Sequence, residues 1–143
     1  MKVLVDSSVW IDHLRGLRTR ETAIFDAVLA FMDPQRQQDD RRGGVDILVG
    51  DLTLCEVLRG IPDHRQHAVV RSTMLSFEVV AVGGVGLALQ AADNYRQLRR
   101  LGITVRKAID LLIGTYCIAQ DCDLLHSDRD FDPMAEHLGL RSL

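Results

Sequence analysis

Lys2-Val3-Leu4-Val5-Asp6-Ser7-Ser8 opens the chain with three apolar residues in a row, a carboxylate and two hydroxyls. An apolar run without polar alternation fits a strand covered on both faces rather than one half open to water. Strands of that kind belong to parallel sheets flanked by helices. Ser7-Ser8 offers a helix cap for the apolar positions Val9, Trp10, Ile11 and Leu14 that follow.

The same alternation of short strand and helix continues outward from this stretch. Strands are expected at 45–49, 78–82 and 124–126. Helices are expected at 20–32, 51–59 (stopped by Gly60 and Pro62), 64–76, 87–101, 107–119 and 131–138, the last with Asp132-Pro133 as cap and first turn. Residues 33–44 carry Gln, Asp, Arg and Gly but no large apolar side chain, and read as a solvated, mobile loop. No repeat or composition shift divides the chain, so residues 1–143 are expected to form one α/β domain: a mostly parallel central sheet with helices on both faces.

At 47% hydrophobic, 143 residues suffice for a full core. Three cysteines, Cys55, Cys117 and Cys122, form no CxxC pair and suit neither a disulfide framework nor a zinc site. Reduced, mostly packed thiols are expected. No uninterrupted apolar run approaches the ~18 residues of a membrane span, and a cytoplasmic protein without a membrane role is the natural expectation. The histidines lack metal-ligand spacing, and no G-x-x-x-x-G-K phosphate loop is present.

Four acids stand at the ends of the most hydrophobic segments: Asp6, Glu56, Asp110 and Asp128. Carboxylates beside a dry core are costly unless a cation compensates them. In open parallel sheets the ligand crevice lies beyond the carboxyl ends of the strands. Asp6 and Asp128 follow expected strands, while Glu56 and Asp110 fall in the first turns of helices starting at that same edge. Brought together, four such groups repel, and a hard divalent cation with oxygen ligands relieves the repulsion. Setting these four aside turns the net charge from −3 to +1, so the remaining surface need not repel a phosphate backbone.

Each acid also has a plainer explanation. Asp6 is suited to cap the helix after it, and Thr53-Leu54-Cys55-Glu56 matches a capping box. Asp128 lies in the turn Ser127-Asp128-Arg129-Asp130, where its charge can be solvated. Asp110, between Ile109 and Leu111, has little local use.

These residues carry a family resemblance. Val3-Leu4-Val5-Asp6-Ser7-Ser8-Val9-Trp10-Ile11-Asp12 resembles the first motif of the PIN domain, in particular of the VapC-type toxin ribonucleases. Residues 52–60 around Glu56 resemble the second motif, Ala108-Ile109-Asp110 the third, and Leu125-His126-Ser127-Asp128-Arg129-Asp130-Phe131 the fourth. The resemblance runs from Val3 to about Leu140; the polar segment 33–44 departs from it, being shorter or absent in the family.

The resemblance implies a PIN-like three-layer α/β/α fold and hydrolysis of RNA phosphodiester bonds with Mg²⁺ or Mn²⁺. Asp6 and Asp110 are then direct ligands, with Glu56 and Asp128 as ligands or orienters through water. Ser127 is expected to hydrogen-bond a carboxylate or a water, and Asp130 to support from outside. Arg106 and Lys107 are candidates for substrate phosphate, against the plainer reading of two solvated charges at a helix start. The resemblance further implies an antitoxin partner, gripped in part by residues 61–77, and a homodimer. A rival is a PIN-like scaffold or RNA-binding module without catalysis, which loss of an acid would mark; none is missing. An Asp6-nucleophile phosphatase would want a second acid where Ser8 stands.

Overall fold

The computed structural model describes residues 1–31 and 44–143. Four strands, β1 (Lys2–Val5), β2 (Asp46–Gly50), β3 (Glu78–Val80) and β4 (Asp123–Leu125), form one sheet in the order β3-β2-β1-β4. Every pairing is parallel, with Val3 opposite both Ile47 and Asp123. The helices are α1 (Ser7–Leu14), α2 (Arg20–Phe31), α3 (Asp51–Arg59), α4 (His64–Leu75), α5 (Val85–Arg100), α6 (Ala108–Ala119) and α7 (Asp132–His137).

Side chains of successive strand residues leave opposite faces of the sheet, and two cores follow from this. Val3, Val5, Ile47 and Val49 pack with Val9, Trp10, Phe25, Val57 and Met74 from α1 to α4. Leu4, Leu48 and Leu124 pack with Ala91, Leu98, Ile113, Phe131 and Met134 on the α5, α6 and α7 side. The expected three-layer α/β/α arrangement is thus observed. Trp10 anchors the first core, meeting Phe25 edge-on at a centroid distance of 4.8 Å and Phe77 at 5.9 Å. The C-terminus runs beside β4, with Leu124 bridged to Ser142, and so covers that sheet edge.

The expected elements are all found, with shifts at their ends. β3 stops at Val80, because the Val82 N–H donates to Asp51 Oδ1 at 3.0 Å and not to a neighbouring strand. α5 starts at Val85, after Gly84 at φ 107°. Asp132 lies within α7; its N-cap is Phe131, at the end of a short 3₁₀ turn, Arg129–Phe131. Cys117 and Cys122 are buried free thiols as expected, whereas Cys55 is exposed. The loop expectation for 33–44 lies outside the described residues except at Gly44. Among the described residues, no helix is long and apolar enough to cross a membrane.

Candidate active site

From β1 the chain steps to β2 and β3 on one side, and returns through α5 and α6 to place β4 on the other. The sheet therefore has its topological switch between β1 and β4, the place where open parallel sheets bind ligands. The Asp6 N–H donates to the Leu125 carbonyl at 2.9 Å, closing the β1–β4 ladder at this edge. Asp6 follows β1 directly, and Asp128 lies just beyond β4.

Asp6 is 2% exposed and caps α1: its Oδ2 accepts the Ser8 N–H at 3.0 Å and the Ser8 hydroxyl at 2.6 Å. Its Oδ1 is buried and has no hydrogen-bond partner. The capping expectation for Asp6 therefore holds for one oxygen and leaves the other unexplained. Asp110, in the first turn of α6, is 4% exposed, and its buried Oδ2 also lacks a hydrogen bond.

The capping box read at Thr53–Glu56 does not form. α3 begins at Asp51 directly from the strand, with Gly50 as N-cap, so Thr53 is already the third helical residue. Glu56 accordingly sits in the second turn and not the first. It is half-buried, with Oε1 unpartnered. Three of the four expected acids thus each keep one buried carboxylate oxygen without a hydrogen bond, a costly arrangement.

Asp110, Asp128 and Asp130 each offer an oxygen such that the three lie within 4.8 Å of one another. Asp130, expected only as outer support, is therefore part of the closest trio. Lys107 stands against it, with Nζ 3.2 Å from Asp128 Oδ2 and 3.9 Å from Asp110 Oδ2. Arg106 is exposed beside it.

Burial pushes the Asp110 carboxyl up to about 7, helped by the charges of Asp6, Asp128 and Glu56 and opposed by Lys107. Burial and the Asp6 charge likewise raise Glu56, against the Ser7 hydroxyl, Arg59 and Lys107. Burial works to raise Asp128 too, but the Asp130 N–H and Lys107 outweigh it and hold that carboxyl below its usual range. Asp110 thus feels the charges of Asp6, Asp128 and Glu56 together.

The donor set is all carboxylate oxygen, which suits a hard divalent cation such as Mg²⁺ or Mn²⁺ rather than zinc. The buried oxygens of Asp6, Glu56 and Asp110 that lack hydrogen bonds are what such an ion would satisfy. The residues present fit a metal.

Ser127 does donate to a carboxylate, as expected, but the acceptor is Asp12 Oδ2 at 3.2 Å and none of the four acids. The Ser127 N–H donates to Ser8 Oγ at 3.2 Å. Asp12 and Ser8 lie four residues apart on α1, hence on one helix face, which was the available signal for them. Asp51 also follows a strand directly, yet its Oδ1 accepts from Leu52 and Val82 and holds the backbone together.

The PIN domain family model matches residues 3–137. "VapC ribonuclease Mb1587" of Mycobacterium bovis is 25% identical over 140 residues, covering 98% of this chain and 96% of the relative. "Ribonuclease VapC1" of Methanocaldococcus jannaschii is 26% identical over 140 residues, covering 98% and 85%. A chain of the crystal structure of VapBC2 from Rickettsia felis, bound to a DNA fragment from their promoter, superposes with a TM-score of 0.73. It covers 100% of this chain and 98% of that one at 13% identity, a likeness of fold.

Proposed function

The chain belongs to the PIN domain family, and from that premise we propose that it is a metal-dependent endoribonuclease, the toxin of a type II toxin–antitoxin pair. The observation that carries this reading is the set of buried oxygens without a hydrogen bond on Asp6, Glu56 and Asp110. The ribonuclease names of relatives that span 98% of the chain point the same way.

Asp6 and Asp110 are the assigned direct ligands of Mg²⁺ or Mn²⁺, with Glu56 and Asp128 as ligands or orienters through water and Asp130 in support. When bound, the cation acidifies the attacking water and offsets charge on the scissile phosphate and the leaving oxygen. The chain's own part is to hold the oxygens in place before substrate arrives. Asp6 is fixed by its cap at the end of a buried strand, and Asp110 by the apolar helix behind it. Because burial raises Asp110, its carboxyl must release a proton to serve as a ligand. Arg106 and Lys107, at the start of α6, supply positive charge for the substrate phosphate.

The proposed partner is an antitoxin that covers the crevice, and the toxin is proposed to form a homodimer in the cytoplasm. Residues 61–77 suit a gripping arm: α4 exposes Val69 and Leu75, and Ile61, Pro62 and Gln66 share a cleft of about 210 Å³ with Ile11, Leu14 and Glu56.

The test is cleavage of a structured RNA by the purified chain, freed of any bound protein. Cutting should need Mg²⁺ or Mn²⁺, stop in EDTA, and be lost in Asp110→Asn. Near wild-type cutting by that variant would refute the site assignment. Metal binding without cleavage of any RNA would leave a binding module.

A further inference from the structure

Outside the acid cluster, one set of polar contacts joins the two segments that flank the sheet's switch point. Ser8 Oγ donates to Asp6 Oδ2 at 2.6 Å and at the same time accepts the Ser127 N–H at 3.2 Å. The Ser127 hydroxyl in turn donates to Asp12 Oδ2 at 3.2 Å. Ser8 and Ser127 are 119 residues apart, and Ser127 and Asp12 are 115 apart. The run Asp6–Ser8–Ser127–Asp12 therefore pins the loop after β4, which carries Asp128, onto the first turns of α1.

We propose that Ser8 is a positioning residue for the metal site, and that Asp12 and Ser127 complete the bracket through which it acts. The proposal rests on the endoribonuclease reading above. Asp6 has two oxygens with different surroundings. Oδ2 is held by both the N–H and the hydroxyl of Ser8, which leaves the buried, unpartnered Oδ1 as the one available to a cation. With the hydroxyl removed, the Ser8 N–H alone holds Oδ2, and the carboxylate is free to rotate about its last torsion. The same loss leaves the Ser127 N–H without its acceptor and loosens the loop that presents Asp128. Both consequences fall on ligands, while helix α1 keeps its backbone cap. Partners of this kind, hydrogen-bonded to ligating carboxylates, are generally worth 10–100-fold in metal affinity.

Asp12 acts one step further out. Its carboxylate takes the Ser127 hydroxyl, which fixes the orientation in which the Ser127 N–H meets Ser8. Asp12 and Ser127 should therefore behave as one unit. Removing either side chain should cost what removing both costs.

The experiment is calorimetric titration of Mn²⁺ into the purified full chain, beside melting curves in EDTA. Ser8→Ala should weaken Mn²⁺ binding about tenfold, at the low end of that range. Its melting temperature in EDTA should stay close to wild type. Ser8→Thr, which keeps the hydroxyl, should bind like wild type. Asp12→Ala, Ser127→Ala and the double variant should share one smaller loss of affinity. A Ser8→Ala protein that melts lower in EDTA but binds Mn²⁺ like wild type would overturn the proposal, since Ser8 would then serve only the fold. Additive losses for Asp12→Ala and Ser127→Ala would overturn the bracket. A wild-type chain that takes up no Mn²⁺ would instead sink the endoribonuclease reading, so the two failures are distinguishable.

Discussion

The Lys107 ammonium lies 3.2 Å from Oδ2 of Asp128, so a cation of the chain's own already stands at the acid cluster. It is held more firmly in its charged form by that hydrogen bond and by the charges of Asp110 and Asp128. In metal-free protein it offsets the repulsion felt at Asp110. Lys107→Met should lower the melting temperature in EDTA at pH 8, by the equivalent of less than about 1 kcal/mol because the side chain is exposed. It should also enlarge the rise in melting temperature on adding Mg²⁺, since the ion then meets less competing charge. Equal Mg²⁺-induced rises in wild type and variant would show that Lys107 and the metal do not share the site.

Glu56→Gln separates support of the fold from service to the site. α3 starts at Asp51 without help from the Glu56 side chain, so the helix does not need that charge to form. The raised pKa of Glu56 means its charged form is penalised in the folded state. The variant should therefore melt at or above wild type in EDTA, while metal-dependent RNA cleavage falls. A lower melting temperature in EDTA would give Glu56 a structural task.

What the sequence carried was mostly local, and what it hid was mostly not. β1 was legible because Val3-Leu4-Val5 is apolar without alternation, as a doubly covered strand is, and α6 because apolar residues surround Asp110. The end of β3 was hidden, because it depends on the Val82 N–H choosing a side chain 31 residues earlier. The start of α5 was hidden because Val85 is 80% exposed and adds nothing to the apolar period. The capping box at Thr53 misled because a fully buried threonine and a cap look alike in sequence. Asp6 and Asp128 could be expected at one edge from strand ends, and Asp110 from the start of its helix, whereas Glu56 lies a turn deeper in α3 than its motif suggested. Pairing Ser127 with Asp12 needed the sheet order, which brings together segments 115 residues apart.

Gly50, between β2 and α3, leaves no room for a side chain. A Cβ there would lie 2.7 Å from Cγ2 of Val82, which is fully buried, and 3.4 Å from Thr53 Oγ1. Val82 cannot easily retreat, because its N–H is tied to Asp51. Gly50→Ala should destabilise the protein by about 1–3 kcal/mol, the usual cost of overpacking. Denaturant melts would measure this, and the Mg²⁺-induced gain should match wild type. A cost below about 0.5 kcal/mol would mean that the junction is looser than described.

Asp110 ties stability, protons and metal together. Its folded pKa of about 7 lies above the ordinary aspartate value of 3.8, so between those pH values the folded chain binds more protons than the unfolded one. Stability then falls as pH rises through that window. In EDTA the wild type should melt higher at pH 5 than at pH 8. Asp110→Asn removes the buried charge, so it should melt above wild type in EDTA at pH 8, with the gap closing toward pH 5. Saturating Mg²⁺ at pH 8 should reverse the order, because an ion at ~100 times its Kd adds about 2.7 kcal/mol to the form that binds it. The ion must also displace the Asp110 proton, so Mg²⁺ affinity should weaken as pH falls through about 7. The measurement is four melting curves for each protein, with and without metal at two pH values. If Asp110→Asn melts below wild type in EDTA at pH 8, Asp110 is holding the fold together and the metal site has lost its centre.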